Sequence, residues 1–320
     1  MTDVVLDIGG ATHVGRRPHN EDCIKFDVEH RIAIVADGVG GSDAGEIASA
    51  MACDRIMASL LANDPIDLAI RSASGAVASL AASKQSRGMG TTVVVLQVID
   101  DEIDIAWVGD SRAYELDGGL HRLTRDHSPV EAMVMQGEIE PEDAGDHSLR
   151  NQINQALGLI PESELEIGRV AGAVPRGRRY LICSDGLSGV VSEAEIFEIA
   201  VQDTLADAAA DQLVQRAVEL GGSDNISAVV IDVLEGGVED APTMRRVSSF
   251  DAETNELTYH RPTSGLRHVK PRVPAETSAE QEPSQDEDLA LATAFFDSDA
   301  ALRLAAFIVI LGLLTALFFI

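Results

Sequence analysis

Apolar residues fall along this chain in two rhythms. Short Val/Ile-rich runs at Arg31–Ala36, Thr91–Ile99, Ile103–Val108, Arg178–Cys183 and Ile226–Val233 each stop near Asp or Gly, as strands do. Between them, Ala44–Leu61 and Leu68–Ser83 are Ala-rich and long enough for several helical turns. Glu193–Ala200 and Leu205–Leu220 are amphipathic at helical spacing. Asp117-Gly118-Gly119, between two short apolar runs, predicts a hairpin turn. Helices come in pairs and strands in runs, not in strict alternation. That pattern favours an α+β fold with helices laid over sheets and disfavours a doubly wound parallel sheet.

The rhythm ends after Gly236-Gly237. Residues 236–300 carry Pro242, Pro262, Pro271, Pro274 and Pro283, many Ser and Thr, and few large apolar side chains. This composition reads as a disordered linker between a globular unit at 1–235 and whatever follows. Leu304–Ile320 then runs without a charge to the last residue. As a helix it spans roughly 25 Å, slightly short of a ~30 Å hydrocarbon core, and Ala300–Arg303 supplies the remaining length. A C-terminal transmembrane anchor at 301–320 is expected. The N-terminus lacks a basic stretch and a long apolar run, so the large unit is expected to stay cytoplasmic.

Composition narrows the chemistry. The 320 residues allow one large domain with a tail or two modest domains. There are 53 Asp and Glu against 24 Lys and Arg, a formal net charge of −29. Such a surface repels phosphate backbones and disfavours nucleic acid as a partner. It suits a protein that collects divalent cations. The three cysteines, Cys23, Cys53 and Cys183, show no short spacing, no disulfide framework and no zinc signature, as fits a reducing cytosol.

Several acids sit beside glycines or at the ends of the apolar runs. Asp37-Gly38 follows RIAIVA, Asp110 follows IAWVG, Asp185-Gly186 follows YLICS, and Asp224-Asn225 precedes ISAVVIDV. Asn20-Glu21-Asp22 follows Arg16 and Arg17. Singly, an Asp-Gly pair is first a turn signal. Jointly, converging carboxylates repel unless a cation sits between them. Oxygen-only donors select Mg²⁺ or Mn²⁺ over zinc, and two such ions can activate a shared water.

In this order the blocks resemble a known family. Arg17-Pro18-His19-Asn20-Glu21-Asp22 is similar to the RxxNED opening of the PPM (phosphatase 2C-like) metal-dependent protein serine/threonine phosphatases of bacterial type. Ala36-Asp37-Gly38-Val39-Gly40-Gly41, Gly88-Met89-Gly90-Thr91-Thr92 and Val108-Gly109-Asp110-Ser111-Arg112 continue the match. Leu123-Thr124-Arg125-Asp126-His127-Ser128, Cys183-Ser184-Asp185-Gly186-Leu187 and Asp224-Asn225-Ile226-Ser227 complete it, over residues 3–234. Gln136–Ile139 and Asn154–Gly158 resemble the family's flap.

The resemblance implies an αββα sandwich of two antiparallel sheets. It implies that Asp37 bridges two ions, that the Gly38 carbonyl and Glu21 serve one, and that Asp185 and Asp224 hold the other. Asp110 joins Asp185 at a third, weaker site. Arg17 is implied to bind the substrate phosphate and Asp22 to orient the attacking water. The implied cofactor is Mn²⁺ or Mg²⁺. The implied partners are phosphorylated proteins, with a membrane Ser/Thr kinase and its substrates among them, and a monomer is expected. Two departures stand out: Val39 replaces a His of the eukaryotic pattern, and His147-Ser148 replaces a flap His-Pro. Alternative functions are an inert phosphopeptide-binding scaffold, or a phosphatase with a single target in a sigma-factor pathway.

Overall fold

Neighbouring residues of a strand point to opposite faces, and in the central strands of this chain both faces are apolar. The computed structural model describes residues 4–40, 43–86, 88–238, 248–251 and 256–259. In chain order they form β1 (Val5–His13), β2 (Asp22–Asp27), β3 (Ile32–Val39), α1 (Asp43–Leu61), α2 (Ile66–Lys84), β4 (Gly90–Thr91), β5 (Val93–Ile99) and β6 (Glu102–Val108). Then come β7 (Arg112–Leu116), β8 (Gly119–Arg122), α3 (Pro129–Gln136), β9 (Gly168–Ala173), β10 (Arg179–Cys183) and α4 (Asp185–Ser188). The last are α5 (Glu193–Ala200), α6 (Ala206–Glu219), β11 (Ile226–Glu235), β12 (Ser248–Asp251) and β13 (Glu256–Tyr259).

The strands make two antiparallel sheets, ordered β1-β11-β10-β7-β8-β12-β13 and β2-β3-β5-β6-β9. Strand β5 shows why its sequence is an unbroken apolar run. Val94 and Leu96 face inward and meet Tyr180, Ile182, Val229 and Ile231 of the other sheet. Val93 and Val95 face outward and meet Ala48, Ala52, Ile56 and Ile70 of α1 and α2. On the opposite side, α5 and α6 cover Leu181, Val230 and Tyr114. The result is the expected αββα layering.

Within the expected linker, Val238 bridges Pro175, and eight further residues form strands. Ser248–Asp251 and Glu256–Tyr259 pair with each other, and β12 pairs with the β8 edge in the register Ser248↔Arg122 to Asp251↔Gly119. An open edge offers unpaired backbone groups that any extended segment can satisfy, without large apolar side chains. Composition alone therefore does not reveal such a strand. Among the described residues no helix is long and apolar enough to cross a membrane. The expected anchor at 301–320 lies outside the described residues.

Candidate metal centre

Five strand ends converge at one end of the sandwich. Asp22 opens β2 and faces Asp37 across the ladder near the end of β3. Asp110 follows β6 through Gly109, whose φ of +103° aims the chain away from the sheet. Asp185 follows β10 at the start of α4, and Asp224 precedes β11. The two loops of the first sheet touch: a Cβ on Gly186 would lie 1.8 Å from the Asn225 carbonyl oxygen, so no side chain fits there. That close approach sets Asp185 beside Asp224.

The strand-end loops are pinned by hydrogen bonds. Asn225 donates from Nδ2 to the Val14 and His19 carbonyls at 3.0 and 2.9 Å, and its Oδ1 accepts from the Glu21 amide at 2.8 Å. One side chain thus shapes the loop that presents Arg17, Glu21 and Asp22. The Glu21 carbonyl accepts from the Gly38 amide at 3.1 Å and from Ser49 Oγ at 2.6 Å. Asp22 Oδ2 accepts from Ser184 Oγ at 2.9 Å and Ser227 Oγ at 2.7 Å. Asn225, Ser49, Ser184 and Ser227 have no assigned role in the sequence reading. Their positions inside the matched blocks Asp224–Ser227 and Cys183–Leu187 are the signal for three of them, whereas Ser49 carries none.

The electrostatics are those of a site short of positive charge. Burial, then Asp22, Asp185, Asp110 and Asp224, push the Asp37 carboxyl well above its ordinary value. Burial raises Asp22 to about 7 against the two serine hydrogen bonds, and raises Asp110 to about 8, helped by Asp185. Asp185 is raised by burial and Asp224, an effect partly offset by a hydrogen bond with Asp37. Burial likewise raises Glu21. Asp22 Oδ1 and Asp185 Oδ1 are buried without a hydrogen-bond partner.

This donor set fits hard divalent cations. It is all oxygen, anionic, buried, and backed by the Gly38 carbonyl. Among the described residues no three acidic, His or Cys side chains close on one point as a finished cage. Arg17 stands at the mouth, half exposed, with Nη2 2.9 Å from Asp224 Oδ2. All eight expected site residues, Arg17, Glu21, Asp22, Asp37, Gly38, Asp110, Asp185 and Asp224, therefore gather at this end. Glu21 lies on its Arg17–Asp224 side.

Beside Asp110 and Asp185 a cleft of about 320 Å³ runs under α3 and a 3₁₀ turn at Pro141–Asp146, the expected flap. Its floor holds other buried acids, each matched by an arginine. Asp126 accepts from Arg112 Nη2 at 2.7 Å, and Glu131 from Arg122 Nη2 at 3.0 Å. Burial pushes the Asp126 carboxyl up, but Arg112 and Arg122 more than reverse this and hold it below the ordinary carboxylate range. His147 is not a part of that floor; its Nδ1 accepts from the Leu149 amide at 3.2 Å within the flap. Val39 brings no titratable group to the end of β3.

Known proteins are similar to this chain in sequence and in fold. The protein phosphatase 2C family profile matches residues 9–220. The serine/threonine protein phosphatase PstP of Mycobacterium tuberculosis is 35% identical over 228 residues, which are 68% of this chain and 43% of that relative. The chain thus spans less than half the length of the mycobacterial relative. A Listeria innocua serine/threonine phosphatase, stp, is 35% identical over 232 residues, covering 68% of this chain and 91% of the relative. Among solved structures, the catalytic domain of PstP in complex with two manganese ions superposes with a TM-score of 0.65 at 32% identity. That match covers 72% of this chain and all of the other.

Proposed function

The chain belongs to the protein phosphatase 2C family, and on that premise we propose that it hydrolyses phosphoserine and phosphothreonine in proteins with the help of bound Mn²⁺ or Mg²⁺. The observation that carries this reading is the set of buried, unneutralised carboxylates Asp22, Asp37, Asp110 and Asp185 at one end of the sandwich. Asp37, Asp185, Asp224, Glu21 and the Gly38 carbonyl would hold two ions, and Asp110 with Asp185 a third. Bound there, the ions supply Lewis-acid neutralisation of the phosphoryl oxygens and make water a nucleophile at neutral pH.

The chain's own groups do the rest. Arg17 offers a planar guanidinium to the phosphoryl oxygens, a bidentate match that an ammonium lacks. Asp22 is fixed by Ser184 and Ser227 through Oδ2, which leaves Oδ1 free to accept a proton from the attacking water and hold its orientation. Asn225 keeps Arg17 and Asp22 in one frame through the loop that carries both. No side-chain nucleophile is required. With Val39 in place of a His, the leaving alkoxide takes its proton from water or from another residue.

The test is phosphate release from a phosphothreonine peptide with and without Mn²⁺. Activity should vanish on chelation and in Asp37→Asn; activity in full after both treatments would sink the assignment. The same reading includes a tether. The uncharged run Leu304–Ile320 supports a C-terminal membrane anchor, with the catalytic unit on the cytoplasmic side among membrane-bound kinases and their substrates. Recovery of the full-length chain in the supernatant after lysis and ultracentrifugation would remove the tether from the proposal.

A further inference from the structure

The chain's cysteines show no pattern in sequence, yet two of them meet. Cys23 lies on β2, one residue after Asp22, and Cys53 lies on α1. Cys53 Sγ donates to the Cys23 carbonyl at 3.6 Å, Cys23 Sγ donates to the Ile24 carbonyl at 4.0 Å, and both side chains pack in the same core cluster. Neither is in a disulfide; Cys23 is half-buried and Cys53 fully buried. Cys183 belongs to a different core, under α5 and α6, and has no access to them.

The place of this pair in the fold gives it meaning. Gly45, Ser49 and Cys53 are spaced four apart, so they form one ridge of α1 along β2. At Gly45 the ridge touches the Glu21 carboxyl, which would lie 2.8 Å from a Cβ there. At Ser49 it donates to the Glu21 carbonyl at 2.6 Å. At Cys53 it meets Cys23. Asp54, the next residue, pairs with Lys25 across the same seam. One seam therefore carries the two thiols at one end and the Glu21-Asp22 segment of the candidate centre at the other.

We propose that Cys23 and Cys53 form a peroxide-driven disulfide that reversibly lowers the activity of this protein. The consequence for turnover rests on the phosphatase reading; the bond itself does not. The more accessible Cys23 sulfur attacks hydrogen peroxide, the O–O bond breaks, and a sulfenic acid forms as hydroxide leaves and takes up the thiol proton. Cys53 sulfur then attacks that sulfur, the S–O bond breaks, and water leaves. Two thiols and one peroxide become one disulfide and two waters. The sulfurs then stand about 2 Å apart, well inside the contact distance of two unbonded sulfurs. Closing that gap draws the α1 ridge along β2 and shifts the segment bearing Glu21 and Asp22. Displacements of about 1 Å at a catalytic segment lower rates by up to roughly 100-fold.

The experiment uses the full-length chain. It is treated with hydrogen peroxide, cleared of oxidant, and read by intact mass, peptide mapping and Mn²⁺-supported phosphate release. The expected result is a loss of two hydrogens mapped to a Cys23–Cys53 link and a fall in turnover of about tenfold or more, both reversed by a phosphine reductant. Cys53→Ser and Cys23→Ser should each prevent the link and the fall, while Cys183→Ser should prevent neither. Absence of the link, or a link with turnover unchanged, overturns the proposal. A link in a protein with no activity before oxidation would instead overturn the phosphatase reading.

Discussion

Two groups of buried carboxylates lie within one cleft and behave in opposite ways. Asp126 and Glu131 each face an arginine, and the positive charge of Arg112 and Arg122 holds Asp126 ionised. Asp110 and Asp185, on the same cleft wall, are pushed towards the neutral form. Burial is comparable; the supply of cationic partners is not. A paired buried acid is part of the scaffold, because removing it strands a buried arginine. An unpaired one destabilises the fold that contains it and persists where something from outside completes it. The chain thus separates structure from chemistry by where it places its arginines.

The same substitution at the two groups should therefore have opposite results. Asp185→Asn is expected to lower Mn²⁺-supported turnover on the order of 10³-fold, the loss of several kcal/mol of charge stabilisation. In chelator its melting temperature should stay level or rise. A melting temperature that drops as far as that of a core variant would break the contrast. Asp126→Asn should instead cost about 3–5 kcal/mol of stability, because Arg112 is left buried and unpaired; urea denaturation reads this directly. A silent Asp126→Asn would place that pair among the dispensable ones.

Smaller effects sharpen the contrast. Arg17→Lys keeps the charge but loses the fork, and should reduce kcat/KM by about 10–100-fold. If Arg16→Ala does this and Arg17→Lys does not, the phosphate-binding arginine is Arg16. The smallest effect is on pH. Carboxyls raised to about 7 and about 8 at Asp22 and Asp110 stabilise the metal-free fold in their neutral form. That contribution is whole below their unfolded value near 4 and is lost as pH rises through 7 and 8. In chelator the melting temperature should decline from pH 6 to pH 9, and the gain on adding Mn²⁺ should widen over the same range. A gain constant with pH would show that these acids are already neutralised within the protein.

Much of the sandwich was legible because its strands are buried on both faces. The runs at 91–99, 103–108 and 226–233 are mostly apolar and map onto β5, β6 and β11. Strand β1 was not legible, since Gly9-Gly10 interrupts its pattern; Gly9 lies beneath the Asp207 backbone, where a side chain has no space. Strand β9, Gly168–Ala173, is small and half-exposed, so it has neither alternation nor bulk. The hairpin of β12 and β13 is a product of the edge it meets. At the centre, the acids stood out by their strand-end positions. Their supports did not, because Asn225 and Ser49 act across 204 and 28 residues of sequence, a separation that no local pattern encodes.

The contact between Arg17 and Asp224 also sets an order of events. Both partners are well exposed, at 51% and 38% of their side-chain surface, and such a pair is worth at most about 1 kcal/mol. On the proposed reading, Asp224 held by a divalent ion would give up the guanidinium at little cost, and Arg17 would then be open to an incoming anion. Cation and phosphate would become thermodynamic allies, each tightening the other by the same factor, as linkage requires. Without the ion, the chain's own carboxylate would occupy the hand proposed for the substrate.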